Sequence, residues 1–230
     1  MKKLCGIVRV SRELLLSTLR RKLRLSVHPD ILDKYVPDKR LYTTGWKNVE
    51  LTAEELVQSI KNGHPYCSQL DGYRDKEHFM ASDIASLDVE DGPSIAEVLE
   101  NSIVRAHATI LYTTVKHRPE APRFRIIFAL PRTITDAREM QAVVQALRLR
   151  VAGDRNAVDP GRMYFGNRNA EVMLFDRGIS PELLDELIAR ARTHPSLRRP
   201  RMPEIGRDGC QAARGCFSRQ TGKFAWPTAG

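Results

Sequence analysis

Ile84-Ala85-Ser86-Leu87-Asp88-Val89-Glu90 is a short apolar run that closes on two acids, and Asp91-Gly92 follows it as a turn. Its length, its bulky apolar residues and the turn behind it read as a strand. Toward the C-terminus, Gly92-Pro93 leads into a helix with Ile95, Val98, Leu99 and Ile103 on one stripe. Two strand-like runs come next: Ala108 to Thr114, and Arg123 to Leu130 with Pro131 as its end. Thr135 caps a helix carrying Met140, Val143, Val144, Leu147 and Leu149, and further strands are expected at 162–166 and 171–175. Ser180 as cap and Pro181 in the first turn open a last helix, to about residue 191. The order from residue 84 is therefore β-α-β-β-α-β and then a helix, an α+β unit of the ferredoxin-like or RRM-like kind.

Toward the N-terminus, Thr52-Ala53-Glu54-Glu55 is a capping box for a helix that stops at Gly63. Residues 29–45 read as irregular, and 11–25 as a basic amphipathic helix. Beyond His194-Pro195, prolines, glycines and arginines dominate, so 196–230 reads as a flexible basic tail. The expected division is a basic helical N-terminal extension at 1–45, a core domain at 46–195 and the tail at 196–230.

The chain has 230 residues and is 42% hydrophobic, enough to bury a core and too apolar for disorder throughout. It contains no apolar run long enough to span a bilayer, and Arg9, Arg12 and Glu13 interrupt the signal-like start. Cys5, Cys67, Cys210 and Cys216 are too far apart for a disulfide framework, which suits a reducing cytoplasm. The net charge is +9, unevenly spread: 11 Lys/Arg against 4 Asp/Glu at 1–41, 19 against 22 at 42–195, and 7 against 2 at 196–230. Basic flanks favour a polyanion, nucleic acid first, although solubility with a basic tail explains the same numbers.

Three motifs carry possible chemistry. On a strand, Asp88 and Glu90 share a face; two such carboxylates repel unless a cation lies between them, and hard oxygens suit Mg²⁺ or Mn²⁺. The same acids also suit an ordinary strand-to-turn boundary. His117 with Arg123 and Arg125 surrounds one strand–turn–strand, a cradle for phosphate oxygens or else a solvated basic hairpin. Asp159 precedes Pro160-Gly161-Arg162, which is a strong turn signal in its own right. Arg74, Lys76 and His78 form a charged loop that touches phosphate or only solvent. Tyr164 and Phe165 read as core aromatics before sugar sensors. Cys210 and Cys216 with His194 have no zinc spacing, and the chain has no Gly-x-x-x-x-Gly-Lys phosphate loop.

Together the motifs resemble the archaeo-eukaryotic primase superfamily, most closely the primase–polymerase domains of plasmids, phages and CRISPR systems. The resemblance runs from Trp46 to about Phe175. It is carried by Leu111-Tyr112-Thr113-Thr114 with His117, by Ala121-Pro122-Arg123-Phe124-Arg125-Ile126-Ile127-Phe128, and by Asp159-Pro160-Gly161-Arg162-Met163-Tyr164-Phe165-Gly166-Asn167. Glu90 stands where many relatives have Asp. The resemblance implies a DNA primase or polymerase acting on nucleoside triphosphates and single-stranded or primed DNA by a two-metal mechanism, with a helicase or CRISPR adaptation proteins as further partners. It implies Asp88, Glu90 and Asp159 as catalytic ligands of Mg²⁺ or Mn²⁺, His117, Arg123 and Arg125 at the nucleotide, and Arg74, Lys76 and Arg162 near phosphate. Two other readings stand beside it: a non-catalytic plasmid replication initiator and a metal-dependent nuclease. Intact Asp88, Glu90, His117 and Asp159 argue against the first, and the second gives the hairpin no task.

Overall fold

The computed structural model describes residues 19–193, apart from 33, 91, 152 and 154–157. The helix expected over 11–18, the tail, and Cys5, His194, Cys210 and Cys216 lie outside the described residues.

The described elements are strands β1 (Leu23–Val27) and β2 (Lys47–Leu51), helix α1 (Ala53–Lys61), strands β3 (Tyr66–Cys67), β4 (Gln69–Leu70) and β5 (Phe79–Glu90), helices α2 (Ile95–Glu100) and α3 (Ser102–His107), strands β6 (Ile110–Thr113) and β7 (Arg123–Ile134), helix α4 (Ala137–Val151), strand β8 (Val172–Leu174) and helix α5 (Pro181–Thr193). They build an α+β fold with two antiparallel sheets, ordered β2-β1-β3 and β4-β5-β7-β6-β8.

The chain order from β5 is the expected β-α-β-β-α-β, with the first helix broken in two. Because β7 is antiparallel to both β5 and β6, those two run parallel with β7 between them, a split β-α-β unit. By the same logic β7 and β8 run parallel with β6 between them. The last strand thus joins the β6 edge, and the short β4 occupies the edge beside β5.

Both faces of the large sheet are covered, which explains why β5 and β7 are apolar almost throughout. Ala85, Leu87, Val89, Phe124, Ile126 and Phe128 point one way, onto Met140, Val143 and Leu147 of α4 and Leu184 and Leu187 of α5. Ile84, Ile127, Ala129, Ile110 and Tyr112 point the other way, onto Leu23 and Leu25 of β1, Leu56 and Ile60 of α1, and Tyr66 and Tyr164. Asp88, Glu90, Arg123 and Arg125 belong to this second face. They lie at the end of the sheet, on the same side as the smaller sheet.

Several local expectations need correction. Residues 23–25 are strand: Leu23 and Leu25 are fully buried on one side while Arg24 points out. Helix 95–107 breaks at Asn101, whose backbone is extended and whose side chain caps α3 by accepting from Ile103 and Val104 N–H. Strand β7 passes through Pro131, because its register shifts between Ala129 and Ile134 and no ladder bond is needed there. Asp136 caps α4 in place of Thr135, accepting from the N–H groups of Arg138 and Glu139 at 2.7 and 3.1 Å. Leu149 is exposed. Residues 162–166 contribute only a bridge, Tyr164 to Tyr66. The capping box at Thr52 and Glu55 and the Ser180 cap of α5 form as expected.

Candidate nucleotide and phosphate site

Register brings the two acid positions of β5 directly opposite two arginines of β7: Asp88 pairs with Arg125, and Glu90 with Arg123. Tyr112 of β6 stands on the far side of Arg125. Cross-strand neighbours on one face touch, so the sheet carries a row Asp88–Arg125–Tyr112 and, toward its end, the pair Glu90–Arg123.

Asp88 is 2% exposed and Arg125 is 8% exposed. Arg125 donates from Nε to Asp88 Oδ1, and from Nη1 to the Tyr112 hydroxyl at 3.1 Å and to the Phe165 carbonyl. Its guanidinium also lies 5.7 and 5.5 Å from the ring centroids of Tyr112 and Tyr164. Arg162 donates to Asp88 Oδ2 from Nε and Nη2, at 3.2 and 2.8 Å. Burial alone would raise the Asp88 pKa. The charge and hydrogen bonds of Arg125, then those of Arg162, outweigh it and hold the carboxyl below its ordinary range. Burial likewise pushes the Tyr112 and Tyr164 hydroxyls up, so both stay neutral donors. Tyr164 donates to the Ser86 carbonyl at 2.9 Å and stacks on Tyr66, a core aromatic as expected.

The outer pair is more open. Arg123 Nη1 donates to Glu90 Oε2 at 2.9 Å, with the side chains 25% and 38% exposed. Beside it, the 114–123 turn is closed by Thr114 N–H to the Arg123 carbonyl and His117 N–H to the Thr114 carbonyl. The imidazole folds back, and its Nδ1 accepts the Arg123 N–H at 3.1 Å. An accepting Nδ1 places the ring proton on Nε2, which makes that nitrogen the ring's N–H donor. A cleft of ≈ 340 Å³ opens here, lined by Lys34, Glu90, Lys116, Arg125 and Phe165 among others.

Asp159 lies elsewhere. It is exposed, its Oδ1 accepts the Gly161 N–H at 2.9 Å, and it lines a separate cleft of ≈ 280 Å³ with Ser68, Ser82, Ser86 and Arg162. Gly161 is required by close approach, since a Cβ there would lie 2.5 Å from the Asp75 carbonyl oxygen. Arg74 is committed to the carbonyls of Tyr42 and Gly161, the latter at 3.1 Å, and Lys76 pairs with Glu77 at 3.3 Å. Sequence reasoning missed Tyr112 and Lys34. Tyr112 lay inside the Leu111-Tyr112-Thr113-Thr114 stretch but was given no role of its own, and Lys34 sat in a segment read as irregular.

The acids expected to share metal ions are thus not assembled for it. Among the described residues, no three His, Cys, Asp or Glu side chains converge. Arginines, rather than a cation, relieve the repulsion expected between Asp88 and Glu90. A dication about 4 Å from one guanidinium meets roughly 8 kcal/mol of repulsion at an effective dielectric of ~20. Among the described residues, Asp88 is held by Arg125 and Arg162, and Glu90 by Arg123. Mg²⁺ or Mn²⁺ does not fit this arrangement.

No protein-family model matches the chain, and no curated protein matches its sequence. Among solved structures it is similar to the AEP domain of the cyanophage S-2L primase-polymerase, at 11% identity and a TM-score of 0.41, over 76% of this chain and 95% of that one. No helix among the described residues is long and apolar enough to cross a membrane.

Proposed function

We propose that this chain is a template-dependent nucleotidyltransferase of the primase–polymerase type, extending or starting DNA from nucleoside triphosphates in the cytoplasm. The observation that carries the proposal is the 114–123 turn. It holds the Nε2–H donor of His117 on the same short loop as Lys116, and both flank the Glu90–Arg123 pair. Donors of this kind suit the oxygens of a triphosphate, and the work they do is positioning and charge neutralisation. His117 donates to a phosphate oxygen and moves no proton. Arg123 forks onto two phosphate oxygens as negative charge builds on the departing pyrophosphate. Arg125, fixed by Asp88, Tyr112 and Phe165, lines the same cleft and adds its charge there. The resemblance brings Mg²⁺ or Mn²⁺ with it, as counter-ions the triphosphate itself attracts.

A second reading has its own observation. Every acid of the β5–β7 row is neutralised by arginine, as suits a non-catalytic protein that only binds nucleic acid. A labelled primer–template incubated with nucleotides and Mg²⁺ or Mn²⁺ separates the readings. Extension supports the transferase, a shifted but unextended template supports the binding protein, and a shortened template supports a nuclease.

A further inference from the structure

We infer that a single-stranded nucleic acid lies along a second surface of this protein, a strip of cations and exposed apolar side chains built by residues 31–35, 60–64 and 166–169. The strip takes the backbone and bases of a strand and lies outside the β5–β7 row. That the bound strand is a template rests on the nucleotidyltransferase reading; the surface rests on geometry alone.

Three segments distant in sequence make this surface continuous. Asn167 N–H donates to the Ile60 carbonyl at 2.9 Å, and Arg168 Nε to the Asn62 carbonyl at 3.4 Å. Gly63 has a φ of 95° and packs against residue 32: a Cβ there would lie 2.5 Å from the Leu32 carbonyl oxygen and 3.4 Å from Arg168 Cγ. A Cβ on Gly166 would lie 2.6 Å from the Gly63 carbonyl carbon. The same contacts cover the end of α1. The Ile60 carbonyl accepts from both Gly63 and Asn167 N–H, and the Ser59 carbonyl from His64 N–H at 3.1 Å. Carbonyls that would repel an anion at a helix C-terminus are thereby satisfied.

The charges of the strip are not spent on the protein itself. Among the described residues, Lys34, Lys61 and Arg168 take part in no ion pair. Lys22, Arg24, Arg40, Lys76, Arg132 and Arg150, by contrast, each face a carboxylate at 3.4 Å or less. Unpaired cations in one strip suit a polyanion, whose counter-ions they displace. Beside them Leu32 is 43% exposed and Tyr35 76%. A duplex presents these side chains with phosphate, whereas a single strand presents base faces on which a tyrosine ring stacks. An acidic peptide would use the cations and give the ring no flat partner. Lys34 and Gly166 also line the cleft beside Lys116, so a strand on the strip passes the 114–123 turn.

The test uses the full chain and labelled oligothymidylate, followed by fluorescence anisotropy over a salt series. Lys61→Gln with Arg168→Gln should flatten the slope of log affinity against log salt by about 1.4, roughly 0.7 for each cation removed. Lys34→Gln with Lys61→Gln serves in its place should the first pair not fold. Tyr35→Ala should weaken binding about fivefold or more at every salt concentration with the slope unchanged, and Tyr35→Phe should bind as the wild type does. Binding of a blunt duplex of the same length should not depend on Tyr35. An unchanged slope overturns the strip. A Tyr35→Ala loss equal on duplex and single strand, or an oligoglutamate of equal charge bound as tightly as the oligonucleotide, overturns the single-strand assignment. If the binding results hold but no nucleotide is ever incorporated, the surface stands and the transferase reading falls. Incorporation by a protein whose slope the variants leave unchanged removes the strip and leaves the transferase.

Discussion

Asp88→Ala should destabilise this protein severely, which is the reverse of what removing one member of a repelling carboxylate pair would do. Asp88 is 2% exposed and Arg125 8%, and each is the other's charge partner inside the sheet. Deleting the carboxylate leaves a buried guanidinium uncompensated, a loss of about 3–5 kcal/mol. A chain of this size loses roughly 2–4 °C in Tm per kcal/mol, so a fall of roughly 6–20 °C is expected in thermal unfolding at neutral pH. Glu90→Ala should cost no more than about 1 kcal/mol, because its pair with Arg123 is partly exposed. Removing both buried partners, Asp88→Ala with Arg125→Met, should recover much of the loss, since no charge is then stranded. The pH dependence has a definite sign. The folded-state pKa of Asp88 lies below its unfolded value, so its contribution is complete above the ordinary carboxylate range. It disappears as the pH falls through the depressed folded value, and the gap between wild type and Asp88→Ala should close only in strong acid. An Asp88→Ala protein as stable as wild type at pH 7 would refute the buried pair.

Other outcomes follow from the same geometry. The His117 ring should show the Nε2–H tautomer by nitrogen NMR, and His117→Ala should lower kcat/KM about 10- to 150-fold (roughly 1.5–3 kcal/mol) with template affinity nearly unchanged. Loss of template binding instead would mean that His117 faces the nucleic acid. Gly161→Ala should destabilise the 159–162 turn, since its Cβ would sit 2.5 Å from the Asp75 carbonyl oxygen; an unchanged Tm would show that the loop yields. Deleting residues 196–230, with 7 Lys/Arg against 2 Asp/Glu, should flatten the dependence of DNA affinity on salt, and an unchanged slope would mean that the tail never meets the backbone.

The sequence made much of this legible where the signals are local. The apolar runs at Ile84 and Arg123 are the central strands, and the caps at Thr52 and Ser180 sit where their side chains bond the helix N–H groups. Period two also revealed that Asp88 shares a face with Glu90, and Arg123 with Arg125. It could not reveal that the two faces meet, because that depends on the β5–β7 register, set by pairing over 37 residues and by an irregularity near Ser82. Hence the acids read as a cation site while the folded chain pairs them with arginine. Leu23-Arg24-Leu25 alternates as a strand does, yet the basic stretch before it gave the stronger helical pattern. Lys34 reaches the cleft only through tertiary packing.

The most direct test of the transferase proposal is synthesis of labelled product from nucleoside triphosphates on an unprimed single-stranded template, with Mg²⁺ and Mn²⁺ compared. The expected result is a ladder of products that requires template and is sharply reduced in His117→Ala. No product with either ion, beside an intact template that the protein still shifts on a gel, would contradict the proposal and leave a nucleic-acid-binding protein.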